Sequence, residues 1–222
     1  MIRWYANGMK RFLLAIILTT TPFTWLAAHP HGWIDFRVNV LIDNDGQLTG
    51  LEQRWQMDPF YSLALLEELA LLGADERTEA FAMMADEIQH NLTAEQYNTD
   101  AWIGEQALSF GPVEVYELRE ENQHVVFAFT LPISEPVSMA GQVLKYQIFE
   151  PTYFLEMLHE AKRQEPIAEA LTVQGPISCE TRIIPANPDP KLVMEAAQLG
   201  IDEEGEHGLG RYFADTGEVR CQ

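Results

Sequence analysis

The feature that most constrains the fold is a strict alternation of apolar and polar side chains that begins at Trp33. The apolar members of this pattern are Ile34, Phe36, Val38, Val40 and Ile42. A period of two residues is typical of a half-buried β-strand with one face on the core. A turn sequence, Asp-Asn-Asp-Gly, follows at 43–46, and a second strand is predicted over 48–57. The chain therefore starts its fold with an antiparallel hairpin.

Helices are predicted directly after this hairpin. Asp58 and Pro59 form a typical cap and first residue of a helix that ends at Gly73, and a second helix is predicted over 74–90. Further strands are predicted over 107–118, 123–131 and 143–149, and Glu150-Pro151 is predicted to open another helix, over 150–162. The fold class is thus α+β, an antiparallel sheet with covering helices. The Asp-Pro and Glu-Pro segments resemble each other, since each follows a pair of predicted strands and precedes aromatic residues. This similarity indicates either a duplicated strand-strand-helix unit or convergence on a common way to begin a helix.

The first 28 residues have the organisation of a secretory signal peptide. Lys10 and Arg11 precede a short apolar run, and Leu26-Ala27-Ala28 offers a cleavage site after Ala28. Met9 is an alternative start. The apolar run is too short to span a bilayer, so we expect no stable membrane insertion after cleavage. Residues 29–222 are predicted to form a single periplasmic domain with an irregular C-terminal tail from about residue 172.

The net charge and the two cysteines limit the possible partners and the cellular compartment of the protein. The formal net charge is −20, which excludes nucleic acid as a partner because phosphates would be repelled. The two cysteines, Cys179 and Cys221, are expected to form a disulfide in an oxidising compartment.

The candidate chemistry lies at residues 28–35, which read Ala-His-Pro-His-Gly-Trp-Ile-Asp. His29 and His31 point to the same side of an extended chain, and Asp35 continues that face. Imidazole and carboxylate ligands suit zinc, nickel, cobalt or copper. If cleavage makes His29 the first residue, its amine is an additional ligand. The alternative interpretation is that these histidines are unstructured residues at a new terminus.

Further ligands are needed from elsewhere in the chain. Glu156 and His159 are three residues apart and share a face of the predicted helix, and the alternative interpretation is a solvated side of that helix. The aromatic residues Trp33, Trp55, Tyr61, Tyr153 and Phe154 line either a ligand pocket or the core. No phosphate loop, nucleophile elbow or His-Glu-x-x-His motif is present, so we predict no catalytic residues and no enzyme.

The 28–35 segment resembles the opening motif of the bacterial family named domain of unknown function 1007. The Asp-Pro and Glu-Pro aromatic segments are similar to that family as well, so the resemblance covers most of the mature chain. The family is described as the periplasmic component of an uncharacterised transport system. The resemblance implies metal trafficking beside a membrane metal transporter, and His29, His31, Trp33 and Asp35 carry the shared pattern.

Three functions follow from these observations. The first is a periplasmic divalent-metal-binding protein that delivers, sequesters or senses metal for a membrane metal transporter. The second is a metal-free interaction module of a transport system. The third is a copper enzyme that uses an N-terminal His29.

Overall fold

The computed structural model describes residues 30–200 and 203–222, so the predicted signal peptide and His29 lie outside the described residues. The chain forms β1 (Gly32–Ile42), β2 (Gln47–Met57), α1 (Pro59–Leu69), α2 (Ala74–Thr93), β3 (Thr99–Ile103), β4 (Gln106–Ala107), β5 (Tyr116–Glu121), β6 (His124–Ser138), β7 (Val143–Ile148), β8 (Leu155–His159), β9 (Ala161–Lys162), β10 (Glu165–Pro166), β11 (Leu171–Gln174), β12 (Cys179–Ile184), α3 (Pro190–Ala196) and β13 (Thr216–Cys221). Short 3-10 helices cover Gln96–Asn98, Ala168–Ala170 and Leu209–Phe213.

The strands form two larger sheets. The first has the order β11-β1-β2-β6-β5, with β8 paired to the first half of β1, and the second has the order β12-β13-β7-β3-β4. Most pairings are antiparallel, but β8 and β11 both run parallel to β1. The two sheets share one hydrophobic core, which includes Phe36 and Phe127 from the first sheet and Leu144 from the second. The predicted α+β class is confirmed.

The hairpin and the first two helices match their predictions closely. The residues predicted to face the core of β1 are all buried. The carboxylate of Asp58 caps α1 by accepting hydrogen bonds from the backbone N–H groups of Phe60 and Tyr61. Helix α2 packs its apolar side chains Phe81, Met84 and Ile88 against the core, as their spacing indicated.

The helix predicted over 150–162 is wrong. Glu150 does act as a local cap, but its carboxylate closes a turn by accepting hydrogen bonds from the backbone N–H groups of Thr152 and Phe154. The chain then enters β8, which adds to the edge of β1. The strands that precede Glu150 are therefore followed by another strand and not by a helix, so a complete strand-strand-helix unit is not duplicated.

The C-terminal segment is also more ordered than predicted. Residues from 172 onward contribute most of β11, all of β12, α3 and β13. Strand β13 lies between β12 and β7, and its Val219 is fully buried. The tail is therefore an integral part of the second sheet. None of the helices in the described part of the chain is long and apolar enough to cross a membrane.

Candidate functional site

The histidine motif lies where the described chain begins, at the start of β1. The backbone N–H of His31 donates to the carbonyl oxygen of Phe154 at 2.9 Å, and the two rings are in contact with centroids 4.5 Å apart. This contact extends the parallel pairing of β1 and β8, in which Gly32 lies beside Leu155. The imidazole of His31 is thereby held over the turn that precedes β8.

The Asp-Pro and Glu-Pro segments both contact the histidine motif, one on each side of β1. On the β8 side lies the Glu-Pro turn that ends at Phe154. On the β2 side, the backbone N–H of Asp58 donates to the carbonyl oxygen of Trp33 at 3.1 Å. A Cβ added at Gly32 would come 3.0 Å from Oδ2 of Asp58, so glycine permits this close approach. The three segments that resemble the family thus form one cluster at one end of the sheet.

Glu156 shares a face with the histidine motif. It is paired with Trp33 across β1 and β8, and paired residues point to the same side of a sheet. This side faces away from the core, because the intervening Ile34 is buried. From the strand spacing and rise, the Cα atoms of His31 and Glu156 are about 8 Å apart. An imidazole and a carboxylate at that separation can reach one ion.

Asp35 lies too far along the same strand to join them. Four residues of extended chain separate its Cα from that of His31 by about 13 Å. Burial raises the pKa of Asp35, as does the neighbouring charge of Glu160, while a hydrogen bond with Trp33 opposes this rise. Asp35 and His31 therefore do not share one ion.

Glu156 sits in a negatively charged environment. Burial raises its pKa, a hydrogen bond from the hydroxyl of Tyr153 lowers it, and the nearby charges of Asp215 and Asp35 raise it further. In the described part of the chain, the ion pairs of the arginines and lysines involve neither Glu156 nor Asp35. A cation beside Glu156 would relieve this repulsion.

His159 is in the core, on the opposite side of the sheet from Glu156. Residues three apart share a helix face, but in a strand they point to opposite sides, so the predicted joint use of this pair is wrong. His159 is 1% exposed and its ring contacts Phe36 at 4.4 Å. The hydroxyl of Tyr146 lies 2.8 Å from its Nε2, and Oδ2 of Asp215 lies 3.5 Å from its Nδ1. Burial lowers the pKa of His159, and Asp215 opposes this effect.

Sequence patterns did not identify Tyr146, Asp215 or Asp58 as neighbours of the predicted site residues. Tyr146 shares the buried face of β7 with Leu144 and Ile148, so it reads as a core residue, and Asp215 precedes β13 in a segment predicted to be irregular. Asp58 was identified only as a helix cap. Of the predicted pocket aromatics, Trp55 is buried in the core, and Tyr153 is buried in a stack with the ring of Phe213.

The predicted disulfide is confirmed. Cys179 and Cys221 are bonded and face each other in the register of β12 and β13. The bond fixes the C-terminal strand to the outer strand of the second sheet. In the residues that the structure describes, no group of three or more His, Cys, Asp or Glu side chains is arranged to hold a metal ion.

Comparison with known proteins gives a family but no activity. The chain is similar to an uncharacterised protein of Haemophilus influenzae, with 25% identity over 199 residues that cover 88% of this chain and 92% of the other. No solved structure matches it significantly. Residues 13–221 match the family described as "Protein of unknown function (DUF1007)". The chain therefore belongs to the DUF1007 family.

Proposed function

We propose that this protein binds a divalent transition-metal ion at the start of β1, in the periplasm, and handles it for a membrane metal transporter. The observation that carries the proposal is the common face of His31 and Glu156 on adjacent parallel strands. His29, two residues before His31, would supply a further nitrogen ligand from the same extended segment. Two imidazoles and a carboxylate suit zinc, nickel, cobalt or copper.

Two further features support a cation at this position. The carboxylate of Glu156 lies near two other carboxylates, and no arginine or lysine of the described residues is paired with it. Oδ1 of Asp58 caps α1, whereas its Oδ2 lies against Gly32 on the other side of β1, where it would orient a ligand or a metal-bound water.

The proposed location rests on the disulfide and on the sequence of the first 28 residues. Disulfides persist in oxidising compartments such as the bacterial periplasm. The transporter as partner rests on the resemblance to the family.

The test is a metal titration of untagged protein secreted to the periplasm, with its N-terminal residue identified by mass spectrometry. Zinc, nickel and copper would each be titrated by calorimetry into wild type, His31→Ala, Glu156→Gln and the control His90→Ala, which changes an exposed histidine of α2. We expect one ion per chain, with affinity reduced at least tenfold by His31→Ala and by Glu156→Gln and unchanged by the control. Equal metal affinity in wild type and in both site variants would refute the proposed site.

A further inference from the structure

Strand β8 has little support from its neighbours in the first sheet. It is an edge strand of five residues that pairs with the first half of β1, while β11 pairs with the other half. The turn before it holds Tyr153 at a φ of 60°, and residues 161–166 after it are all exposed. Short edge segments of this kind are the ones that open locally while the rest of a domain stays folded.

A buried polar contact ties β8 to the second sheet. The imidazole of His159 is almost fully buried, and its Nε2 lies 2.8 Å from the hydroxyl of Tyr146 on β7. Met157, two residues earlier on β8, adds apolar packing to the same core. The position of β8 therefore depends on a side chain that can take up a proton near neutral pH.

The groups that face His159 from other elements compensate a positive charge only in part. Among the described residues, they are Tyr146 from β7, the ring of Phe36 from β1, and Asp215, which precedes β13. Oδ2 of Asp215 lies 3.5 Å from Nδ1, beyond the separation of about 2.7–2.9 Å in a charged hydrogen bond. Its Oδ1 accepts a hydrogen bond from the backbone N–H of Ala186 at 3.3 Å, which holds the carboxylate in that position.

The acidic residues next to His159 in the chain do not compensate the charge either. Glu156 and Glu160 are three residues before it and one residue after it, so they point to the opposite side of the sheet. Glu160 is paired with Arg37 on that side. Burial therefore dominates: it lowers the pKa of His159 below its ordinary value of 6.5, and Asp215 opposes this effect only in part.

Protonation would also disrupt the contact between His159 and Tyr146. Because Nδ1 faces a carboxylate, the proton of the neutral ring is assigned to Nδ1, and Nε2 accepts a hydrogen bond from the Tyr146 hydroxyl. A protonated Nε2 is a donor, so the hydroxyl proton would lose its acceptor in a buried environment. Water can hydrate the charged ring once β8 leaves the core, and acid therefore favours the open state.

We propose that His159 is a pH-sensitive switch whose protonation releases β8 locally from the core and from β1. Release of β8 would carry Glu156 away from His31. The opening itself is independent of the proposed metal site, whereas its consequence, the release of metal in acid, rests on that proposed function. Because the exposed ring titrates near pH 6.5, the equilibrium constant for opening can increase by at most about tenfold per pH unit below that pH.

The test is amide hydrogen exchange of the full secreted chain in EDTA, followed by NMR between pH 5 and 8 and corrected for the intrinsic exchange rate. One reporter is the backbone N–H of Glu160, which donates to the carbonyl oxygen of Phe36 at 2.8 Å, and the others are the amides of β8 bonded to β1. We expect their protection to decrease at least threefold between pH 6.5 and 5 in wild type. Amides of β2 and β6, inside the same sheet, should stay at least tenfold better protected at each pH, because they exchange when the whole domain unfolds.

Variants assign the effect to one side chain. His159→Gln keeps a hydrogen-bonding side chain but cannot take up a proton in this range, so the protection of its β8 amides should not depend on pH. The control His90→Ala, at an exposed position of α2, should behave as wild type. If circular dichroism shows that His159→Gln is unfolded, the NMR titration of the His159 ring in wild type decides instead, and we expect a midpoint below pH 6.5.

Several results would overturn the inference. Protection of the β8 amides that is the same from pH 5 to 8 in wild type would contradict it, as would a His159 ring that titrates at or above pH 6.5. The same pH dependence in His159→Gln would show that another group titrates. Equal protection of β8 and of β2 and β6 would show that β8 opens only when the whole domain unfolds. A chain that binds no metal but loses β8 protection in acid would refute the proposed function and support the switch.

Discussion

Replacing Tyr146 with Phe should destabilise the protein by about 1–3 kcal/mol. The Tyr146 hydroxyl lies 2.8 Å from Nε2 of His159, and both side chains are almost fully buried. The contact joins β7 of the second sheet to β8 of the first. Phe keeps the ring and its packing, so the cost is the lost hydrogen bond and the desolvation of a buried ring nitrogen that loses its partner.

The magnitude can be checked by urea denaturation with the disulfide intact. For a domain of this size, 1 kcal/mol corresponds to roughly 2–4 °C in Tm, so thermal denaturation should show a decrease of about 2–12 °C. Tyr212→Phe is the matched control, because it removes the same hydroxyl from a side chain that is 56% exposed. It should change the free energy of unfolding by less than about 0.5 kcal/mol.

A double-mutant cycle isolates the contact itself. His159→Leu should cost less in the Tyr146→Phe background than in wild type, by about 1 kcal/mol or more, because the hydrogen bond is already absent. Additive effects of the two substitutions would refute the contact. A Tyr146→Phe variant as stable as the Tyr212→Phe control would refute it too.

Two further predictions concern the same core. Burial lowers the pKa of His159 below its ordinary value of 6.5, so the unfolded chain binds a proton first as the pH falls. The difference in free energy of unfolding between wild type and His159→Leu should therefore be constant above about pH 6.5. Below that pH, wild type should lose stability relative to the variant by at most about 1.4 kcal/mol per pH unit. Denaturation between pH 5 and 8 that shows the same difference at every pH would contradict this prediction. A Cβ at Gly217 would lie 2.2 Å from ring carbons of Tyr146, so Gly217→Ala should cost about 1–3 kcal/mol or more by overpacking. Gly73→Ala, whose nearest neighbour is a flexible side chain at 3.5 Å, should cost less in the same thermal melts, and equal losses would show that the ring moves aside.

Local patterns predicted the first half of the fold well. The alternation in β1 placed Phe36 and its neighbours in the core, and the Asp58 cap located the start of α1. These features depend on residues close together in the chain, so their physics is present in the sequence itself. The same logic failed at Glu150-Pro151. There an acidic residue and a proline begin a turn instead of a helix, because the carboxylate binds backbone N–H groups two and four residues later.

In the candidate site, too, local patterns identified individual residues, whereas their partners depended on contacts between distant parts of the chain. The sequence identified His31 and Glu156 but paired Glu156 with His159 on a helix that does not form. It also treated the C-terminal segment as irregular, although Asp215 there approaches His159 and β13 completes the second sheet.

The sequence by itself determined the hairpin, the first two helices, the presence of a histidine motif and the acidic character of the chain. Only the tertiary structure decided that β8 pairs in parallel with β1, a strand more than a hundred residues earlier. Glu156 and His159, which are three residues apart, would share one face of a helix, but in the strand that forms they lie on opposite faces of the sheet. The pairing turns Glu156 outward toward His31 and places His159 in the core. No local pattern encodes this outcome, because the strand edge at β1, which is distant in sequence, decides between strand and helix.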